Sequence, residues 1–392
     1  MSYANNMVWS TLGILISCTI SCKKVDELSL VSMTKTSQLA GNFPSHLDLP
    51  PSGNNGAYDA TVATDPQSGR VWMIYSGVEL EEGHSRVSTH LAYSDDGGAC
   101  WSYAAIINAS EVVQPAKYPL AFAKASAVYW QHEVPSIVFD PYAPQNERWR
   151  ILWHRYLHVD DNIPGNEDRK FTYGWIGTKT AADPRGLTSA PEQKLFSSFG
   201  YQLTPEIEAY NDAEIGLPQL KLDDISPELT DAVAYTEPGM VALDGDLYVS
   251  MVHRSIASGK VVLIKLDHSS QNWQYVATPL TDQDARDLNP AWRSFSATDL
   301  FAIDDRAYLL ASPVITLYEG TLLFELDLKT GLIKKDEAGL PEVIYAMGKT
   351  PGVIQSGVAT FDPGLTASGI LTGDALLTAP QFRMYATGIV IN

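Results

Sequence analysis

The sequence predicts an all-β fold, a β-propeller of five blades with four antiparallel strands in each. Three observations predict it. An apolar strand that ends in Asp, followed by a short turn and a strand rich in β-branched and aromatic residues, recurs five times. Two further strand-like runs lie between successive copies. No long segment has helical periodicity. A four-stranded sheet cannot bury both of its faces alone, and stacking such sheets around an axis buries them and shields their edges. Two β-sandwich domains are the alternative arrangement.

The copies, in order, begin at Asp59 (DATVATDPQSGRVWMIYSG), Glu133 (EVPSIVFDPYAPQNERWRILWHRY), Glu237 (EPGMVALDGDLYVSMVHR), Thr298 (TDLFAIDDRAYLLASPV) and, more loosely, Gly357 (GVATFDPGLTASGILTGDAL). Their anchoring residues are Asp65, Asp140, Asp244, Asp304 and Asp362. Asp suits a strand-ending turn because its carboxylate accepts hydrogen bonds from nearby backbone N–H groups. Residues 200–232, rich in Pro and acidic side chains, interrupt the alternation and read as an inserted loop on one face.

The chain has 392 residues, 45% of them hydrophobic, with a formal net charge of −19. Such a surface repels phosphate backbones and excludes nucleic acid as an expected partner. Residues 7–17 form an apolar run too short to span a bilayer and of the right length for a signal peptide. Leu15–Cys18 (LISC) looks like a bacterial lipobox, with Cys22 (TISC) as a weaker competitor, although no Lys or Arg precedes the run. The expected organisation is a signal peptide over 1–22, a tether over 23–50 and a propeller over 51–392. The expected location is exported: secreted, or held at the periplasmic, outer-membrane or cell surface, with a membrane approached only through a lipid anchor. Cys100 is then the single cysteine of the mature domain, so no internal disulfide framework is expected.

One turn carries a resemblance. AYSDDGGACW, residues 92–101, lies between strand-like runs, and its Asp and Gly build a tight hairpin. Its Ser-x-Asp-x-Gly-x-x-Trp order resembles the Asp-box of sialidases and related β-propellers, with Cys100 where Thr is usual. In that family the box closes the outer strands of a blade, far from the active site.

In a propeller the first strand of each blade lines the axial channel, so residues near the strand entrances converge. Asp59, Glu133, Glu237 and Asp299 occupy those entrances. Glu133 and Glu237 each precede their anchoring Asp by seven residues, which predicts one shared register; Asp59 precedes by six and Asp299 by five. Alternation puts Asp299 on the glutamates' face and leaves Asp59 ambiguous unless a bulge shifts it. Convergent carboxyls are what glycoside hydrolysis needs: one protonates the leaving oxygen while another activates water or attacks the anomeric carbon. The layout resembles the five-bladed glycosidases of the arabinanase, xylosidase and invertase type. That resemblance implies base or nucleophile for Asp59, transition-state stabiliser for Glu133 and general acid for Glu237. The second position is usually Asp in that family, and EPG at Glu237 is only similar to its acid motif.

The sialidase branch is the competing resemblance. It implies an arginine clamp on an acidic sugar, for which Arg155, Arg254, Arg293 and Arg383 are the candidates, with His154 and His253 beside two of them. EVP at Glu133 stands where that branch often has RIP, so the match fails at its first arginine. Trp130 and Trp292 are candidate platforms for a sugar ring. A non-catalytic propeller that binds glycan or protein is the reading from a different class. No cofactor is expected. DDNIPGNED, residues 160–168, offers oxygen ligands for a structural Ca²⁺ but lacks the EF-hand order.

Overall fold

The computed structural model describes residues 45–47, 54–81, 84–112, 127–160, 174–198, 213, 215–255, 258–378 and 380–391. The signal peptide with Cys18 and Cys22, residues 23–44 of the tether, loop residues 161–168 and most of the stretch before 213 lie outside them. Within Pro44–Asn392 five antiparallel sheets form a five-bladed β-propeller.

Blade I is β2 (Ala57–Thr64), β3 (Val71–Glu81), β4 (His84–Ser94) and β5 (Ser102–Asn108), ordered from the axis outward. Blade II is β7 (Ala127–Phe139), β8 (Trp149–Asp160), β9 (Gly174–Ala181) and β10 (Gln193–Ser197), with the short β6 (Glu111–Val112) on the free side of β7. Blade III is β11 (Ala234–Leu243), β12 (Asp246–Arg254), β13 (Gly259–Asp267) and β14 (Asn272–Thr281). Blade IV is β15 (Ser294–Ile303), β16 (Arg306–Val314) and β17 (Gly320–Asp327), whose outer edge pairs with both β18 (Leu332–Ile333) and β19 (Val343–Gly348). Blade V is β20 (Gln355–Thr360), β21 (Leu371–Ala375) and β22 (Phe382–Ala386), completed by β1 (Ser45–His46) from the other end of the chain.

Two features add to the expected five blades. The four-stranded blades are as expected, and blades II and IV each carry one extra strand segment at an edge. The propeller also begins before residue 51. Ser45 and His46 pair with Ala386 and Tyr385, and Leu47 donates its N–H to Met384 O at 2.9 Å and is buried. Both additions satisfy sheet edges that would otherwise leave backbone groups unpaired.

The core lies between blades. One apolar cluster joins blades I and II through Trp72, Ile74, Ile137 and Trp153. Others join II to III and III to IV. A cluster containing Leu47, Met73, Phe301, Phe361 and Leu371 closes the ring across blades IV, V and I. Inner strands are therefore buried on both faces, as in AYDATVAT, where every residue but the last is buried. Gly239 shows how close the inner strands approach: a Cβ there would stand 2.7 Å from Asp299 Cα of the next blade.

The anchoring aspartates build turns and latches. Asp244 and Gly245, at φ 54° and 90°, form a two-residue hairpin turn between paired Leu243 and Asp246. Asp140, wholly buried, accepts from Tyr142 N–H at 3.1 Å and from His268 Nε2 of blade III at 2.7 Å. Asp362 accepts from Gly364 N–H at 2.8 Å and from Thr64 N–H of blade I at 3.2 Å. The AYSDDGGACW turn closes β4 onto β5. Ser94 Oγ accepts from Gly98 N–H, Asp96 Oδ1 accepts from Cys100 N–H, each at 2.8 Å, and Trp101 joins the closing cluster. Among the described residues no helix is long and apolar enough to cross a membrane.

Candidate functional site

Every inner strand carries a β-bulge at the same level. The pairing skips from Tyr58 to Thr61, Glu133 to Ser136, Thr236 to Gly239, Ser296 to Asp299 and Gly357 to Thr360. The first bulged residue of each has positive φ: Asp59 (54°), Val134 (52°), Glu237 (58°), Ala297 (50°) and Val358 (56°). A left-handed backbone at a non-glycine residue is costly and persists only where the surroundings enforce it. Here they do. A bulge frees N–H and C=O groups from the ladder, and hydroxyls of the adjacent blade take them up. Val134 N–H donates to Ser76 Oγ at 3.1 Å, and Val358 N–H donates to Ser312 Oγ at 3.0 Å. Thr61 Oγ1 donates to Pro135 O at 3.2 Å, and Thr298 Oγ1 donates to Glu237 O at 2.9 Å.

This ring corrects the expected register. Glu237 is the counterpart of Asp59 and Val134, whereas Glu133 stands one residue earlier, level with Tyr58, Thr236 and Ser296. Counting back from the anchoring Asp misleads because the stretch between bulge and turn differs in length between blades. Asp299 shares the level of neither glutamate; it lies past its bulge, level with Thr61, Ser136, Gly239 and Thr360. Burial pushes its carboxyl up to about 8.

Asp59, Glu133 and Glu237 come together. Each of the first two feels the charge of Glu237, and Asp59 also feels Glu133. Asp59 is 7% and Glu237 5% exposed. Burial first, then Glu133 and Glu237, hold the Asp59 carboxyl well above the usual carboxylate range. Burial likewise pushes Glu133 up to about 7, against the opposing hydrogen bond that Tyr156 OH donates to its Oε2 at 2.6 Å. Glu237 is held by three donors. Its Oε2 accepts from Ala297 N–H at 2.6 Å and from Ser296 Oγ, and its Oε1 accepts from Tyr318 OH at 2.5 Å. Tyr58 and Tyr318 complete the buried wall, packed with Ala297 and Val358.

The four arginines do not form one clamp. Arg155 pairs with Glu192 at 2.6 Å and lies against the touching indoles of Trp130 and Trp175, 4.6 and 5.0 Å from their centroids. Arg254 donates to Ser296 Oγ at 2.7 Å, beside Glu237. Arg293 is exposed just before β15, and Arg383 is on β22, the third strand out from the axis, opposite Asp374. His154 meets Ser198 Oγ at 3.0 Å, and burial lowers it to about 3. His253 meets Thr230 O at 3.0 Å, and burial lowers it too. Trp130 is buried against Trp175, and Trp292 packs on the cluster between blades III and IV. Among the described residues no group of three His, Cys, Asp or Glu is placed to hold a metal ion. The 160–168 segment lies outside them except for Asp160.

Sequence reasoning missed Tyr58, Tyr156, Ser296 and Tyr318. Tyr156 ends the WHRY run, but nothing local marks Tyr318, whose role depends on a loop reaching across from blade IV. The register error was legible. Pro135 and Pro238 each occupy the second bulge position, and a proline inside a strand marks a bulge; aligning EVP with EPG on Pro pairs Val134 with Glu237.

No family model and no curated sequence matches the chain. Solved structures similar to it are five-bladed β-propeller glycoside hydrolases of families 32, 43 and 117. One is Zg3597, a family 117 enzyme of the marine bacterium Zobellia galactanivorans, at 11% identity over 89% of this chain and 91% of that one, TM-score 0.48. Another is the Bombyx mori family 32 β-fructofuranosidase BmSUC1, as its D63A mutant with sucrose, at 12% identity over 87% and 61%, TM-score 0.48. A third is the Bacillus subtilis arabinanase Arb43A, at 11% over 85% and 96%, TM-score 0.43. The chain thus spans about three fifths of the silkworm enzyme's length.

Proposed function

We propose that this chain is a glycoside hydrolase acting on a glycan, with Asp59, Glu133 and Glu237 as its working carboxyls. The observation that carries the reading is their convergence from three blades on one hub, where Asp59 and Glu237 are buried and Glu133 half-buried. Burial and mutual repulsion keep the three from all being ionised at neutral pH. The hub therefore retains a transferable proton alongside a carboxylate, and cleavage of a glycosidic bond needs both. Glu237 is assigned as the acid that protonates the leaving oxygen. Asp59 or Glu133 activates water or attacks the anomeric carbon.

A screen against chromogenic furanosides, pyranosides and sialosides should reveal turnover on at least one class. Glu237→Gln, Asp59→Asn and Glu133→Gln should each lower kcat by roughly a thousandfold while leaving the protein folded. Full activity in Glu237→Gln would remove it from the mechanism. A folded protein that binds glycan but cleaves none would favour the binding propeller.

A further inference from the structure

The hydrogen bonds around Glu237 have a direction. A guanidinium only donates, so Ser296 Oγ must accept from Arg254 Nη2, at 2.7 Å. Ser296 is left with its own O–H to give, and it gives it to Glu237 Oε2. The Ala297 N–H, at 2.6 Å from the same oxygen, also can only donate. A proton on Oε2 would meet the Ala297 N–H head-on and would require Ser296, already accepting from Arg254, to turn its O–H away from the carboxylate. Oε1 is different. Its partner is the hydroxyl of Tyr318, at 2.5 Å, and a phenol both donates and accepts.

We propose that Arg254, Ser296 and Tyr318 are positioning residues that confine the exchangeable proton of Glu237 to Oε1. The inference rests on the reading of Glu237 as a proton donor. In the ionised state Tyr318 donates to Oε1. In the protonated state the Oε1–H bond is free to point at a glycosidic oxygen while Tyr318 accepts or turns away. On cleavage the Oε1–H bond breaks, an O–H bond forms on the leaving oxygen, and that oxygen keeps the electron pair of the broken C–O bond. Tyr318 OH then turns to donate to the Oε1 carboxylate. Burial, together with the charges of Glu237 and Asp59, raises the Tyr318 phenol well above its ordinary range, so it keeps its proton throughout. The other titratable groups facing Glu237 are Asp59, Glu133 and Tyr58.

The test separates direction from mere packing. Lysine, like arginine, only donates; methionine has no donor. Arg254→Met and Ser296→Ala should lower kcat about tenfold with KM changed less than about twofold, since only the Ala297 N–H then still holds the proton off Oε2. Arg254→Lys should restore at least half of the loss on a logarithmic scale. A second readout needs no turnover. In protein labelled with ¹³C at the glutamate carboxyls, the signal that Glu237→Gln abolishes should titrate at higher pH in Arg254→Met, Ser296→Ala and Tyr318→Phe, since each carboxylate has lost a donor or its support. Arg254→Lys should titrate close to the parent. The relay is overturned if Arg254→Met leaves that titration unchanged, or if Arg254→Lys moves it as far as Met does. A protein without glycosidase activity but with the expected titrations would sink the proposed function and leave the relay standing.

Discussion

Asp299 shows how one residue can read like a site residue and behave as a buried acid. The residue is 5% exposed, near Asp362 of blade V, and its carboxyl is pushed up to about 8 by burial. An unfolded Asp titrates near 3.9, so folding takes up a proton between about pH 4 and pH 8. The stability this group contributes is complete below pH 4 and is lost as pH rises through about 8. Asp299→Asn removes the titration. By scanning calorimetry its Tm should fall less than the parent's between pH 5 and pH 8.5. The slope should not vanish, since Asp59 and Glu133 are shifted in the same direction. An identical slope in both proteins would show that Asp299 ionises freely. The acidic character of the hub was legible in the sequence because Asp and Glu are rare at strand entrances. Their grouping was legible only in part, since Asp299 and Glu237 differ by a bulge that residue counting does not see.

At the scale of elements, the bulge is the device that makes the site. One extra residue per inner strand turns Asp59 and Glu237 toward the axis and leaves hydrophobic Val134, Ala297 and Val358 at the equivalent positions. The same five strands end in turns whose aspartates hold neighbouring elements together. The latch from Asp140 to His268 joins the end of β7 to the β13–β14 turn, with side chains only 0% and 9% exposed. His268→Ala leaves a buried carboxyl with Tyr142 N–H alone and should cost roughly 2–4 kcal/mol in urea denaturation. An unchanged midpoint would mean that water replaces the imidazole without cost. Strand existence and the five repeats followed from alternation and from the recurring Asp. The short β6 and β18, of two residues each, carry no pattern long enough to read.

At the scale of the whole molecule, stability depends on ring closure. Blade V takes its outermost strand from Ser45–His46, and Leu47 seals the cluster shared by blades IV, V and I. A chain starting at residue 48 loses that strand and the buried Leu side chain. It should be about 2–4 kcal/mol less stable, from the apolar burial and the backbone pairing together. Equal denaturation midpoints for the two forms would show that blade V closes without β1. Closure also fixes the hub, because Asp59 belongs to the blade that β1 joins to its neighbour. Glu237→Gln, by contrast, should leave the midpoint nearly unmoved while lowering kcat by roughly a thousandfold, since it keeps the side chain's shape.

Alternation of apolar and polar residues, five Asp-ended strands and the absence of helical periodicity determined the all-β propeller from sequence alone, because strand patterning and turn chemistry are local properties. The identity of the acids at the strand entrances was equally local. Which acids share a level, which arginines are committed to Glu192 or Ser296, and which tyrosine caps Glu237 were decided by the tertiary structure. Each depends on a bulge register or on contacts between blades more than forty residues apart, or, like Arg155 with Glu192, on the packing of one sheet, and no short-range pattern encodes such encounters.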